Sequence, residues 1–271
     1  MIDNDGIRLA LSVEGDGPDL LFVHGLGSAQ LLWRPLIAAL RDRYRCWNLD
    51  LRGHGASDRA PGYNYAGYTS DVAAALDHIG APTIGIGHSL GGGSLTRAAA
   101  AGHPNLSALY AIDSAILRRE RAPGTLRIFE TQLKMLREFQ PENRPVDDYE
   151  AVLAAAPYRA GGTNRDHMIP EQLRGRAESL SQLDPECLEA VVEGKMTGDF
   201  VAPDIAIPMR VLAADPELGA SFRPEWHDEL RRHAPQATTR TLEGVGHQML
   251  MMQGFDDVVR ADLEDWLATL T

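Results

Sequence analysis

Cysteine is nearly absent: Cys46 and Cys187 are the only two in 271 residues. That is too few for a disulfide framework, and Cys46 falls inside the apolar run Tyr44 to Leu51, where a buried reduced thiol is expected. Basic clusters are missing too. The chain carries 26 Lys and Arg against 38 Asp and Glu, a formal net charge of −12, and has no Lys/Arg-rich block to track phosphate backbones or anionic lipids. A small-molecule substrate is therefore expected, with neither nucleic acid nor a membrane as partner. The opening Met1-Ile2-Asp3-Asn4-Asp5 lacks the basic and apolar regions of a secretory signal, so a cytoplasmic location is expected.

Other motifs are equally wanting. There is no His-Glu-x-x-His and no paired Cys-x-x-Cys, and no Gly-x-Gly-x-x-Gly follows the first strand pattern. No Gly-Lys-Ser/Thr loop occurs either, so neither a metal nor a nucleotide cofactor is implied. The one long stretch without Asp, Glu, Lys or Arg, His78 to Thr96, contains Pro82, two histidines and many glycines. It reads as a buried strand and turn rather than a membrane span.

What the chain does have is alternation. Ile7 to Val13 reads as one arm of a hairpin turned at Gly15-Asp16-Gly17-Pro18, followed by the continuous apolar run Leu20 to Val23. Leu31 to Leu40 has helical spacing and Tyr44 to Leu51 strand character; Val72, Ala75, Leu76 and Ile79 line one face of a helix. Thr83 to Gly87 reads as a strand, Leu90 to Ala101 as a helix and Leu106 to Ile112 as another strand. The strand pattern resumes at Met209 to Ala214 and Thr238 to Leu242, with helices near Pro224 to His233 and over Asp256 to Leu270. This is the signature of an α/β protein, a mostly parallel sheet with helices on both faces. Between the two halves the spacing is helical throughout and punctuated by proline. The expected organisation is a core of 1–115 and 197–271 with a helical lid inserted over 116–196.

The chemistry gathers at the ends of the expected strands. Gly87-His88-Ser89-Leu90-Gly91 matches Gly-x-Ser-x-Gly between a strand and a helix, the setting of a strained turn that exposes a serine nucleophile. His24-Gly25-Leu26-Gly27 follows an earlier strand. The backbone N–H groups of Leu26 and Leu90 are the candidate oxyanion donors, while His24 reads as satisfying loop carbonyls. A serine needs a base oriented by a carboxylate. His247, in the glycine-bearing loop Gly244-Val245-Gly246-His247, is the candidate base. For the acid, Asp215 at the end of Val211 to Ala214 is preferred, and Asp113 at the end of Leu106 to Ile112 is its rival. Trp33 and Met249 are the candidate substrate contacts. In the inserted segment, Leu126, Phe129, Leu133, Leu136 and Phe139 read mainly as packing.

Taken together, His24 to Gly27, Asp50-Leu51-Arg52-Gly53-His54-Gly55-Ala56-Ser57, Gly87 to Gly92, Asp215 and His247 resemble the α/β-hydrolase superfamily, in its serine-nucleophile esterase, haloperoxidase-like and C–C hydrolase branch. The resemblance covers residues 5–115 and 205–271. It implies an eight-stranded, mostly parallel sheet, a Ser89/Asp215/His247 triad, and a largely structural Asp50 to Ser57 loop whose His54 reaches toward the cleft mouth. The expected activity is hydrolysis of carboxylic esters or lactones of a small, uncharged, moderately apolar substrate through an acyl-serine. Three alternatives stand beside it: C–C bond hydrolysis, acid–base chemistry of the hydroxynitrile-lyase type on the same triad, and a ligand receptor that retains the triad.

Overall fold

The apolar run over 20–23 lies within a strand whose five residues are all buried, so it needs a neighbour on each edge and a layer on each face. The fold supplies both. The computed structural model describes residues 1–114, 116, 125–196 and 204–270. Its nine strands are β1 (Ile2–Asn4), β2 (Ile7–Leu9), β3 (Leu11–Glu14), β4 (Asp19–Val23), β5 (Arg45–Leu49), β6 (Thr83–His88), β7 (Leu106–Ile112), β8 (Met209–Ala213) and β9 (Thr238–Thr241). β3 to β9 form a seven-stranded sheet in the order β3-β5-β4-β6-β7-β8-β9, parallel except for β3. β1 and β2 make a separate antiparallel pair.

Two expectations are corrected here. Among the described residues the main sheet has seven strands, not eight, because the first stretch of chain is divided. Ala10 separates β2 from β3, and the two join different sheets. Nor does Gly15 to Pro18 turn a hairpin. β3 pairs with β5, which lies between it and β4. β4 is covered by parallel neighbours on both edges, β5 and β6, as its unbroken apolar character requires.

Helices α1 (Arg34–Leu40), α2 (Tyr65–Ile79), α3 (Leu90–Ala100), α9 (His227–His233) and α10 (Asp256–Ala268) accompany the sheet, near the spans that the apolar spacing marks out. Asn64 caps α2 by accepting the Gly67 N–H, and Gly80 closes it in the left-handed conformation. Between β7 and β8 run α4 (Thr125–Phe139), α5 (Val146–Ala155), α6 (Asn164–His167), α7 (Pro170–Gln182) and α8 (Pro185–Val192), with no strand longer than a single bridge among the described residues. The junctions expected near 116 and 196 adjoin residues 117–124 and 197–203, which lie outside the described residues. No helix among the described residues is long and apolar enough to cross a membrane.

The inserted helices are tied to the core at several points. Gln172 on α7 donates to Leu32 O (3.3 Å), and Ile169 N donates to Met251 O (2.8 Å). Asp184, which caps α8, donates its N–H to Gly53 O (2.8 Å) and accepts the Tyr63 hydroxyl (2.7 Å). These bonds fix the helical layer over the C-terminal ends of the strands, where an open parallel sheet presents its ligand sites.

Candidate active site

Ser89 sits between β6 and α3 with φ 52° and ψ −115°, a conformation that non-glycine residues rarely adopt. The flanking glycines are demanded by space. A Cβ on Gly91 would collide with the Val23 and His24 carbonyls, and one on Gly87 with the backbone of Gly92. The motif therefore packs the start of α3 directly onto the ends of β4 and β6, and lifts Ser89 above the sheet.

His247 reaches Ser89 across the cleft: its Nε2 is 3.0 Å from Ser89 Oγ. On the other side of the ring, His247 Nδ1 is 2.6 Å from Asp113 Oδ2. The orienting acid is thus Asp113, and the preference for Asp215 is corrected. Both aspartates follow neighbouring parallel strands, and Ile112 is in register with Leu212. Asp113 is one residue past that pair and Asp215 three. At about 3.3 Å per residue, Asp215 lies roughly two residues further beyond the sheet edge. There it accepts the N–H groups of Glu217 (2.9 Å) and Gly244 (2.8 Å), while its own N–H donates to Val245 O (2.9 Å). Asp215 therefore braces the loop that carries His247 without touching the imidazole.

Asp113 is fully buried. Desolvation alone would raise its pKa, but the hydrogen bond and charge of His247, with N–H donors from Ser221 and Ala214, outweigh it and hold the carboxyl below its ordinary value. Oδ1 accepts the N–H groups of Ala214 and Phe222, each at 3.1 Å, and Oδ2 that of Ser221 at 2.8 Å. The Ser221 hydroxyl is itself 3.1 Å from His247 Nδ1. The segment around Ser221 had no motif to mark it in the sequence.

The expected oxyanion donors converge on the same space. Leu26 and Leu90 both line the cavity that holds Ser89 and His247. Neither backbone N–H meets an acceptor among the described residues, and the Leu90 N–H also lies at the first turn of α3, where the helix dipole favours negative charge. Behind this loop His24 donates from Nδ1 to Gly25 O (2.8 Å), and its Nε2 accepts the Leu51 N–H (3.2 Å), as its structural reading anticipates. His54 is also structural: it is buried, and its Nε2 accepts the Gly27 N–H at 3.1 Å. It does not line the cavity, contrary to the expectation that it reaches the cleft mouth. Burial pushes His54 down to about 4 and His88 to about 3. Both are neutral props of the loops around Ser89 and His247; His88 holds His247 O from Nε2 at 3.0 Å.

The cavity measures about 770 Å³ and is roofed by residues of the inserted helices, among them Phe129, Gln132, Met135, Leu153 and Arg176. Two expected substrate contacts are corrected. Trp33 is fully buried against Phe22, with ring centroids 5.3 Å apart, and Met249 is also fully buried; neither lines the cavity. Of the methionines after His247, Met252 does so. Of the periodic apolar residues between β7 and β8, Leu133 and Leu136 behave as packing, while Phe129 faces the cavity. Among the described residues no group of three or more His, Cys, Asp and Glu is disposed to hold a metal ion.

Comparison with known proteins bears on the fold and the family. One curated relative, 2-(acetamidomethylene)succinate hydrolase of Mesorhizobium japonicum, is 35% identical over 114 residues, a match spanning 41% of each chain. The chain thus matches about two fifths of that relative's length. The enol-lactonase of Burkholderia xenovorans LB400 superposes with a TM-score of 0.74 at 22% identity, covering 97% of this chain and 98% of that one. A thermophilic esterase from Thermogutta terrifontis gives a TM-score of 0.70 at 24% identity, covering 98% and 96%. At such identities these two structures speak for the fold alone. The model of the alpha/beta hydrolase family matches residues 20–261, most of the sequence, and the chain belongs to that family.

Proposed function

We propose that the protein is a serine hydrolase that cleaves carboxylic esters or lactones through an acyl-serine. The observation that carries the reading is the unbroken relay from Ser89 Oγ through His247 to Asp113, at 3.0 and 2.6 Å, opening into a cavity of about 770 Å³. His247 Nε2 takes the Ser89 hydroxyl proton as Oγ bonds to the substrate carbonyl carbon. Asp113 keeps the other ring nitrogen protonated and balances the imidazolium that forms. The carbonyl oxygen gains negative charge and is met by the Leu26 and Leu90 N–H groups. As the tetrahedral centre collapses, the C–O bond to the alcohol breaks and His247 returns the proton to the departing oxygen, which in a lactone stays attached to the acyl chain. A water, deprotonated by His247, then attacks the acyl carbon and frees Ser89.

A serine at this turn disfavours chemistries that build an alkyl ester on a carboxylate nucleophile. The test is fluorophosphonate labelling with peptide mapping, on the wild type and Ser89→Ala in parallel, followed by an ester and lactone panel. Labelling confined to Ser89, and turnover that falls by about 10⁶ in Ser89→Ala, is the expected outcome. A Ser89→Ala protein that keeps more than a few per cent of wild-type turnover refutes the mechanism.

A further inference from the structure

Arg176 carries its charge in an unusual setting. It sits on α7, is 7% exposed, and borders the cavity that contains Ser89 and His247. A guanidinium has five N–H donors in a rigid fork. Here one protein contact is made, from Nη1 to Leu26 O at 3.3 Å, and no carboxylate pairs with it among the described residues. Among the described residues Arg52, by contrast, pairs with Asp71 and Arg210 with Asp262. An unpaired buried cation is costly, and burial lowers its pKa to about 10, which leaves it charged at neutral pH.

The rest of the cavity points the same way. Its lining includes Arg127 and Arg159, both exposed, and among the described residues no Asp or Glu at all, in a chain whose net charge is −12. Gly27 leaves room for the guanidinium, since a Cβ there would stand 3.2 Å from Nη2.

We propose that Arg176 is the anchor of a carboxylate-binding subsite, and that the substrate is an ester or lactone carrying a carboxylate a short spacer away from the scissile carbonyl. This rests on the hydrolase reading above and replaces the expectation of an uncharged substrate. The spacer follows from Leu26: its C=O holds Arg176 and its N–H is an oxyanion donor, and the two groups of one residue lie within about 4 Å of each other. A bidentate carboxylate at Arg176 completes the guanidinium's hydrogen bonds and neutralises its charge. The alternative role for Arg176, holding the oxyanion loop through Leu26 O, acts on all substrates alike.

The experiment compares matched pairs: monomethyl succinate, monomethyl glutarate and acetoxyacetate, each against its methyl-capped neutral counterpart, by pH-stat. The wild type is expected to favour the charged member of at least one pair by about 10- to 100-fold in kcat/KM, the worth of a charge-assisted bond. Arg176→Gln collapses that ratio and Arg176→Lys retains part of it, with folding of each checked by circular dichroism. Equal rates within every pair for the wild type overturn the proposal and leave the hydrolase reading intact. A ratio unchanged in Arg176→Gln overturns it too, because the side chain then serves only the loop. Should the wild type hydrolyse none of the six, the hydrolase reading fails on these substrates, and calorimetry decides the subsite separately. In that arm glutarate is titrated into Ser89→Ala and into Ser89→Ala/Arg176→Gln. Binding that weakens at least 10-fold in the double variant supports the subsite, and no binding to Ser89→Ala overturns it.

Discussion

Replacing Asp113 by Asn separates the two candidate acids and tests the relay at its buried end. The carboxylate serves four donors: the N–H groups of Ala214 and Phe222 on Oδ1, and Ser221 N–H and His247 Nδ1 on Oδ2. An asparagine has one carbonyl oxygen, so its NH2 must face one pair of these donors. If it faces Ser221 and His247, the imidazole is driven to the tautomer that cannot take the Ser89 proton, and kcat is expected to fall by about 10⁴. If it faces Ala214 and Phe222, two buried N–H groups lose their acceptor at about 1–3 kcal/mol each. In either orientation the neutral amide no longer balances the imidazolium, so the variant is expected to be slow, and in the second it is also less stable by about 2–6 kcal/mol; a melting curve accompanies the kinetics. Asp215→Asn is the control: its two accepted N–H groups lie in a half-exposed loop, and one acceptor survives, so a loss near 1 kcal/mol and less than about 10-fold in kcat are expected. The assay is ester turnover together with the rate of fluorophosphonate labelling of Ser89. A folded Asp113→Asn enzyme within 10-fold of wild type, or an Asp215→Asn enzyme as impaired as Asp113→Asn, refutes the assignment.

Stability should fall in acid. His54 and His88 stay neutral in the folded protein down to about 4 and 3, whereas in the unfolded chain they protonate near 6.5. Their contribution is thus complete above pH 6.5 and is lost as pH falls toward 4, with His54 alone worth on the order of 3 kcal/mol. Asp50, raised by burial to about 6, works in the opposite direction over roughly pH 6 to 4 and offsets part of the loss. Melting temperatures that stay flat from pH 7 to 4.5 contradict this. Trp33→Ala should cost about 3–5 kcal/mol in a denaturant titration while leaving KM nearly unchanged, because Trp33 packs on Phe22 and not on the cavity. Met252→Ala, by contrast, should shift KM, and a KM insensitive to it argues that the cavity is not the substrate site. Gly91→Ala should prevent Ser89 from reaching its place, seen as loss of labelling in whatever protein folds, since the added methyl meets the Val23 carbonyl.

Local signals in the chain were enough to determine the strand and helix alternation, the turn that carries Ser89 and the loop that carries His247. Each depends on neighbours in sequence: apolar period, glycine where backbones approach closely, and a polar residue at the end of an apolar run. Whatever depends on side chains from distant segments was decided by the tertiary structure. Asp113 and Asp215 end adjacent strands in equivalent sequence settings, and only the parallel register shows that Asp215 overshoots the sheet edge and turns to its own loop. Trp33 looked available for substrate until packing placed it against Phe22. The strand from Ile7 to Val13 was legible as extended, but which sheet each half joins depends on β5, more than thirty residues later. Arg176 had no motif at all. It became informative once α7 folded over the strand ends, because a guanidinium's need for a partner shows only when burial has removed water and the chain has offered no carboxylate among the described residues in its place.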